Sequence, residues 1–183
     1  MQGAIRRWGV LLLVVGWASG ASAGRLEKAF AALERYDYFK AKALFQRSVK
    51  RHPAAAWYGL SVITGRADNP FYQLDSSHAA IRRAMAAYPL MDDRDLARTA
   101  MLGVDSAAIH AQWEHVAGLA WQQVNTLGRA EDYQRFVQDF AGSSQVQLAV
   151  ERRNELAFAA AREANTSTAY QAFLQQFPDA EQA

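Results

Sequence analysis

The sequence predicts an all-α protein built from stacked antiparallel helical hairpins, and three observations lead to that prediction. Alanine, the strongest helix former, occurs 37 times among the 183 residues. Apolar side chains recur at helical spacing between Pro53, Pro70, Pro89 and Pro178, each placed where such a pattern stops or has not begun. Between residues 24 and 183, no stretch alternates β-branched and polar residues as a half-buried strand would.

Residues 1–23 have the anatomy of a secretory signal peptide. Arg6 and Arg7 precede an apolar core at residues 8–18, and the sequence A-S-A at residues 21–23 is a small-residue cleavage site. As a helix the apolar core covers about 16 Å, well short of a hydrocarbon layer of about 30 Å. We therefore expect cleavage after Ala23, a periplasmic or secreted product, and no stable membrane insertion afterwards.

The predicted mature chain carries no net charge. Without residues 1–23 it has 18 basic and 18 acidic side chains, so the excess positive field behind nonspecific nucleic-acid binding is missing. We expect no nucleic-acid partner. The chain also has no cysteine, so its stability must come from packing rather than from disulfides.

Residues 24–91 are expected to form the first helical hairpins. A helix at residues 26–35 is followed by a second helix after Asp37, with Tyr38, Ala41 and Phe45 on one face. Asp37 is placed to cap the start of that second helix, and Pro53 prevents its continuation.

A family resemblance rests on Asp37-Tyr38, Ala41, Phe45, Ser48 and Pro53, which together resemble the second helix of a tetratricopeptide repeat. In that family small residues permit close helix approach, and an aromatic ring fills the gap between paired helices. Ile81, Ala84 and Pro89 follow the same pattern 36 residues further on, after an insert at residues 67–75. The resemblance implies a tetratricopeptide-like α-solenoid.

Residues 92–183 are expected to form further hairpins with a 37-residue repeat. Leu119-Ala120-Trp121 recurs as Leu156-Ala157-Phe158, and Tyr133, Phe136 and Phe140 recur as Tyr170, Phe173 and Phe177. A long helical stripe ends at Gly128, and Gly142-Ser143-Ser144 forms the next break, with a serine suited to starting a helix. Ala183 corresponds to Val146, so we expect an incomplete last repeat. Either an apolar patch stays exposed there or a following segment caps it, and we favour the second.

The chain after residue 23 is similar to exported tetratricopeptide-like regions of Gram-negative bacterial envelope proteins, above all at residues 69–75 and 153–178. The resemblance implies a scaffold and brings no catalytic residues with it. Such regions are sometimes joined to repeat domains or to a peptidoglycan-binding domain.

Few residues suggest chemistry. His110, Glu114 and His115 lack the spacing of a zinc site, and Asp92, Asp93 and Asp95 lack the glycine and oxygen ladder of a calcium loop. The aspartates fit helix capping better, as does Asn165-Thr166-Ser167, although it matches a glycosylation acceptor. We expect no metal, no cofactor and no enzymatic activity, although a hydrolase built on two of the 18 acidic residues stays open.

Aromatic residues are the best candidates for binding. Trp57, Tyr58 and Tyr72 are assigned as candidate partner-binding residues on a concave groove, and inter-helix packing is the alternative for each. The sequence thus favours an exported scaffold that binds a protein or peptide in the envelope. The alternatives are an accessory domain of a protein that binds or processes peptidoglycan, and a spacer without a specific partner.

Overall fold

The computed structural model describes residues 24–182, and every regular element in that range is helical. The predicted signal peptide lies outside the described residues. The α-helices are α1 Arg25–Glu34, α2 Tyr38–Ser48, α3 Pro53–Thr64, α4 Leu74–Ala87, α5 Asp93–Ala100, α6 Ser106–Leu127, α7 Ala130–Asp139, α8 Val146–Ala164 and α9 Ser167–Gln176, with a 3-10 turn at Tyr88–Leu90. The predicted all-α fold class is confirmed for this part of the chain.

Side-chain oxygens cap several helices where the sequence predicts them. Asp37 accepts a hydrogen bond from the backbone N–H of Lys40, Asp92 from that of Asp95, and Thr166 from that of Ala169. Each bond satisfies an N–H that has no partner inside its helix.

The start of α8 differs from the prediction. Gln145 occupies the capping position without a side-chain hydrogen bond, so neither serine of the preceding turn caps this helix. The Ser144 hydroxyl instead donates to Oε2 of Glu114 on α6 at 2.7 Å, and the Ser144 backbone N–H donates to the same oxygen. The carboxylate therefore ties the α7–α8 connection to α6.

Most helices pack on their neighbours in sequence. The order of packing runs α1 on α2, α2 on α3, α3 on α4, α4 on α6, α6 on α7, α7 on α8 and α8 on α9. One buried apolar cluster extends from Leu26 on α1 to Ala149 on α8, and a smaller one joins α8 and α9 around Phe173. Burial of these faces is the main stabilising contribution.

Three aromatic contacts recur at an offset of 37 residues. Trp121 on α6 packs on Tyr133 and Phe136 of α7, with ring centroids 5.7 and 5.6 Å apart, and Phe136 stacks on Phe140. The second set joins Phe158 to Tyr170 and Phe173, and Phe173 to Phe177. Helices α6 and α8, which carry the first ring of each set, also end alike. Gly128 follows α6 and Asn165 follows α8, and both lie in the left-handed region, at φ 65° and 47°.

Candidate binding cleft

A cleft of about 370 Å³ opens between α4, α6 and α7. Helix α6 forms its floor, while α4 and α7 form its two walls. The lining residues are Leu74, Asp75 and His78 from α4, Ala120, Gln123, Val124 and Leu127 from α6, and Arg129, Asp132, Arg135, Phe136, Asp139 and Phe140 from α7 and its ends. Three of the four α6 residues are apolar, and all the charged lining residues come from α4 and from α7 and its ends.

A buried carboxylate organises the α7 wall. Asp132 is only 3% exposed because it lies one helical turn before Phe136 on the face that packs against α6. Arg129 Nε donates to its Oδ2 at 2.7 Å, and Nη2 of Arg135 donates to its Oδ1. The hydrogen bond from Arg129 holds the pKa of Asp132 below its ordinary value against the opposing effect of burial.

The two guanidinium groups remain accessible, since the Arg129 and Arg135 side chains are 61% and 65% exposed. The cleft also contains Asp75 and Asp139, so its lining carries no net positive charge around the two guanidinium groups. Their unused N–H groups are held in place by the buried aspartate and are available to an incoming acceptor.

His78 closes the opposite part of the cleft. Its ring lies 4.4 Å from the ring of Phe140 and 5.7 Å from that of Trp113. Its Nε2 lies 3.2 Å from the carbonyl oxygen of Asp139, and because a carbonyl only accepts, Nε2 is the donor. Burial lowers the pKa of His78, which favours the neutral ring.

Trp57 and Tyr58 lie on α3, and Tyr72 lies on the connection that follows it. Trp57 is half-buried with the Arg83 guanidinium 4.5 Å above its ring, whereas Tyr58 is half-buried and has its pKa raised by burial and by Asp105. Tyr72 is 45% exposed on the α3–α4 connection. None of the three lines the α4–α6–α7 cleft, and their binding role stays a prediction.

The cleft residues are not among those predicted from the sequence. The spacing of Arg129, Asp132 and Arg135 at i, i+3 and i+6 was the available signal, because residues three apart are neighbours on a helix. His78 carried no such signal, since its partner Asp139 lies 61 residues away.

The residues considered for metal binding have other contacts. His110 Nε2 lies 3.9 Å from Glu114 Oε1, while the other oxygen of Glu114 holds Ser144. Within residues 24–182, no three histidine or carboxylate side chains come together as a metal site. In the same range, no helix combines the length and apolarity needed to cross a bilayer.

No protein-family model matches this chain, and neither does any curated protein or solved structure. What the protein does is therefore inferred from the geometry and charges of its own residues.

Proposed function

We propose that this chain is a non-enzymatic, exported helical-repeat scaffold that binds a protein or peptide segment in the bacterial cell envelope. The observation that carries the proposal is the cleft between α4, α6 and α7, whose mostly apolar floor lies between walls that hold all of its charged residues. Binding sites for chain segments commonly combine an apolar surface with a few placed polar groups. A tetratricopeptide-like α-solenoid is the architecture we propose for it, supported by the largely sequential packing of the helices and the aromatic contacts that recur at 37 residues.

The contacts suggest how a segment would be held. An apolar side chain would cover Val124 and Leu127 on the floor, and a carboxylate or backbone carbonyl would accept from Arg129 or Arg135. Because Asp132 already orients both guanidiniums, less side-chain entropy would be lost on binding than with free arginines.

Site-specific photo-crosslinking tests the cleft. A photoreactive residue at Gln123, which lines the cleft, should form an adduct with one defined envelope protein in the cells that make this chain. Gln122 is the matched control, because it is exposed on the same helix and does not line the cleft. Equal crosslinking from both positions, or none from Gln123, would contradict the proposal.

Export and the alternative function need their own tests. Cell fractionation with N-terminal sequencing should find a periplasmic or secreted protein that begins at Gly24. The protein should not co-sediment with purified peptidoglycan sacculi, and retention on them would favour an accessory domain of a cell-wall protein instead.

The groove predicted from the aromatic residues is tested by replacing Trp57 and Tyr72 together by alanine and measuring capture of the partner.

A further inference from the structure

Charge is distributed unequally along the chain. Residues 24–52, which form the α1–α2 hairpin, contain eight basic and three acidic side chains, whereas residues 53–183 contain ten basic and fifteen acidic ones. The basic residues of the hairpin are Arg25, Lys28, Arg35, Lys40, Lys42, Arg47, Lys50 and Arg51, all exposed except the half-buried Lys42. Although residues 24–183 carry no net charge, the hairpin within them therefore has an excess of five positive charges.

Aromatic rings project from one end of this hairpin. We define the aromatic edge as Tyr36, Phe39, Phe71 and Tyr72, from the α1–α2 turn, the first turn of α2 and the α3–α4 connection. Tyr36 and Phe39 are 63% and 68% exposed. Phe39 stands edge-on to the half-buried Phe71, with ring centroids 4.8 Å apart.

Cations lie among these rings. The Lys42 ammonium is 3.9 Å from the centre of the Phe71 ring, and the Arg66 guanidinium is 5.2 Å from that of Tyr36. Such pairs hold basic side chains beside aromatic faces. Arg66 is paired with Asp68 at 2.7 Å, so Lys42 supplies the net positive charge among these rings.

The backbone conformation of Tyr36 is energetically unfavourable for a residue other than glycine. Tyr36 has φ 61°, which lies in the left-handed region. The backbone N–H of Tyr36 donates to the carbonyl of Leu33, and the backbone N–H of Asp37 donates to the carbonyl of Ala32. This is the helix-ending arrangement in which glycine is usual, because a Cβ is disfavoured there. A tyrosine that occupies a glycine position and exposes most of its ring suggests a use for that ring outside the fold.

We propose that the aromatic edge and the basic α1–α2 hairpin form a docking surface for an anionic phospholipid membrane. Amphipathic rings settle at the level of lipid headgroups, and lysine and arginine side chains are attracted to anionic lipids. The acidic remainder of the chain would be repelled by the same lipids, so the hairpin would face the membrane.

Vesicle co-sedimentation tests the docking surface, using the purified chain without residues 1–23 because the apolar core there would bind lipid by itself. Vesicles containing phosphatidylglycerol should bind the protein at low salt, binding should weaken as salt rises, and phosphatidylcholine vesicles should bind it poorly. Lys40→Glu should lower the partition coefficient about fivefold or more, whereas Arg82→Glu, an exposed change on α4, should not.

Two further substitutions test how much the aromatic rings contribute to vesicle binding. Tyr36→Gly and Phe39→Ser should each weaken binding several-fold, while Leu90→Ser, at an 85% exposed leucine away from the edge, should leave it unchanged. Tyr36→Gly should keep or raise the thermal midpoint, which separates lost docking from lost folding. No lipid-dependent binding, or binding that the edge variants leave intact, would overturn the proposal. Binding to soluble polyglutamate but not to vesicles would overturn it as well and would assign the edge to an acidic protein segment.

Discussion

The ring of Phe45 on α2 lies directly against Gly59 on α3. A Cβ at position 59 would fall within that ring, so the two helices approach this closely only because residue 59 is glycine. Phe45 is fully buried there and meets Phe30 of α1 edge-on, with ring centroids 4.9 Å apart. One side chain therefore joins the first three helices.

Gly59→Ala should lower the free energy of unfolding by about 1–3 kcal/mol, because the added methyl group must displace a ring in a closely packed core. Urea denaturation measures the change. Gly118→Ala is the matched control, since a Cβ at this α6 position meets nothing within 4 Å. It should raise stability by about 0.5–1 kcal/mol through helix propensity. Equal effects at the two positions would contradict the close approach of α2 and α3.

Gly128 and Asn165 end α6 and α8 in the same left-handed conformation. Gly128→Ala should cost about 1 kcal/mol, because a Cβ is disfavoured at this φ, and Asn165→Ala should also destabilise the protein. Asn165→Gly should be neutral or stabilising. Thermal denaturation compares the three variants, and a stabilising Gly128→Ala would show that this helix ends differently.

Arg98 on α5 ties that short helix to α1 by donating from Nε and Nη2 to Oε1 of Glu27, at 3.0 and 2.7 Å. Burial raises the pKa of Glu27, but hydrogen bonds from its own backbone and from Arg98 lower it overall. A double-mutant cycle with Arg98→Ala and Glu27→Ala should give a coupling of about 0.5–1 kcal/mol, as the pair is only partly exposed.

The pair Arg152–Glu155 on α8 is the comparison, because both side chains are more than half exposed. Its coupling should stay within about 0.2–0.5 kcal/mol. A Glu27–Arg98 coupling no larger than this would mean that α5 is not held to α1 by the ion pair.

His78 should make the fold less stable in mild acid. Burial lowers its folded pKa below the ordinary 6.5, so the unfolded chain takes up a proton first as the pH falls. The contribution of neutral His78 to the free energy of unfolding is complete above about pH 6.5. It decreases as the pH falls from 6.5 to the folded pKa. Urea midpoints measured from pH 7.5 to 5 should fall in the parent chain and fall less in His78→Phe. Equal slopes in the two proteins would show that His78 does not set this pH dependence.

Local signals predicted the helices well. Asp37, Asp92 and Thr166 cap helices as expected, because a cap depends only on residues three positions away. The serine expected to start α8 was a wrong assignment, because Glu114, 30 residues earlier in the sequence, binds it instead. The cleft was missed for the same reason, since α4 and α7 meet only in the folded chain.

Residue spacing alone thus established the all-helical class, the ends of several helices and the buried face of α2, since these depend on hydrogen bonds and side-chain neighbours within about one turn. Folding decided which helices meet, that two arginines share the buried Asp132, and that Phe39 lies beside Phe71. Those relations join residues far apart in the chain, and only the packing of complete helices brings them into contact.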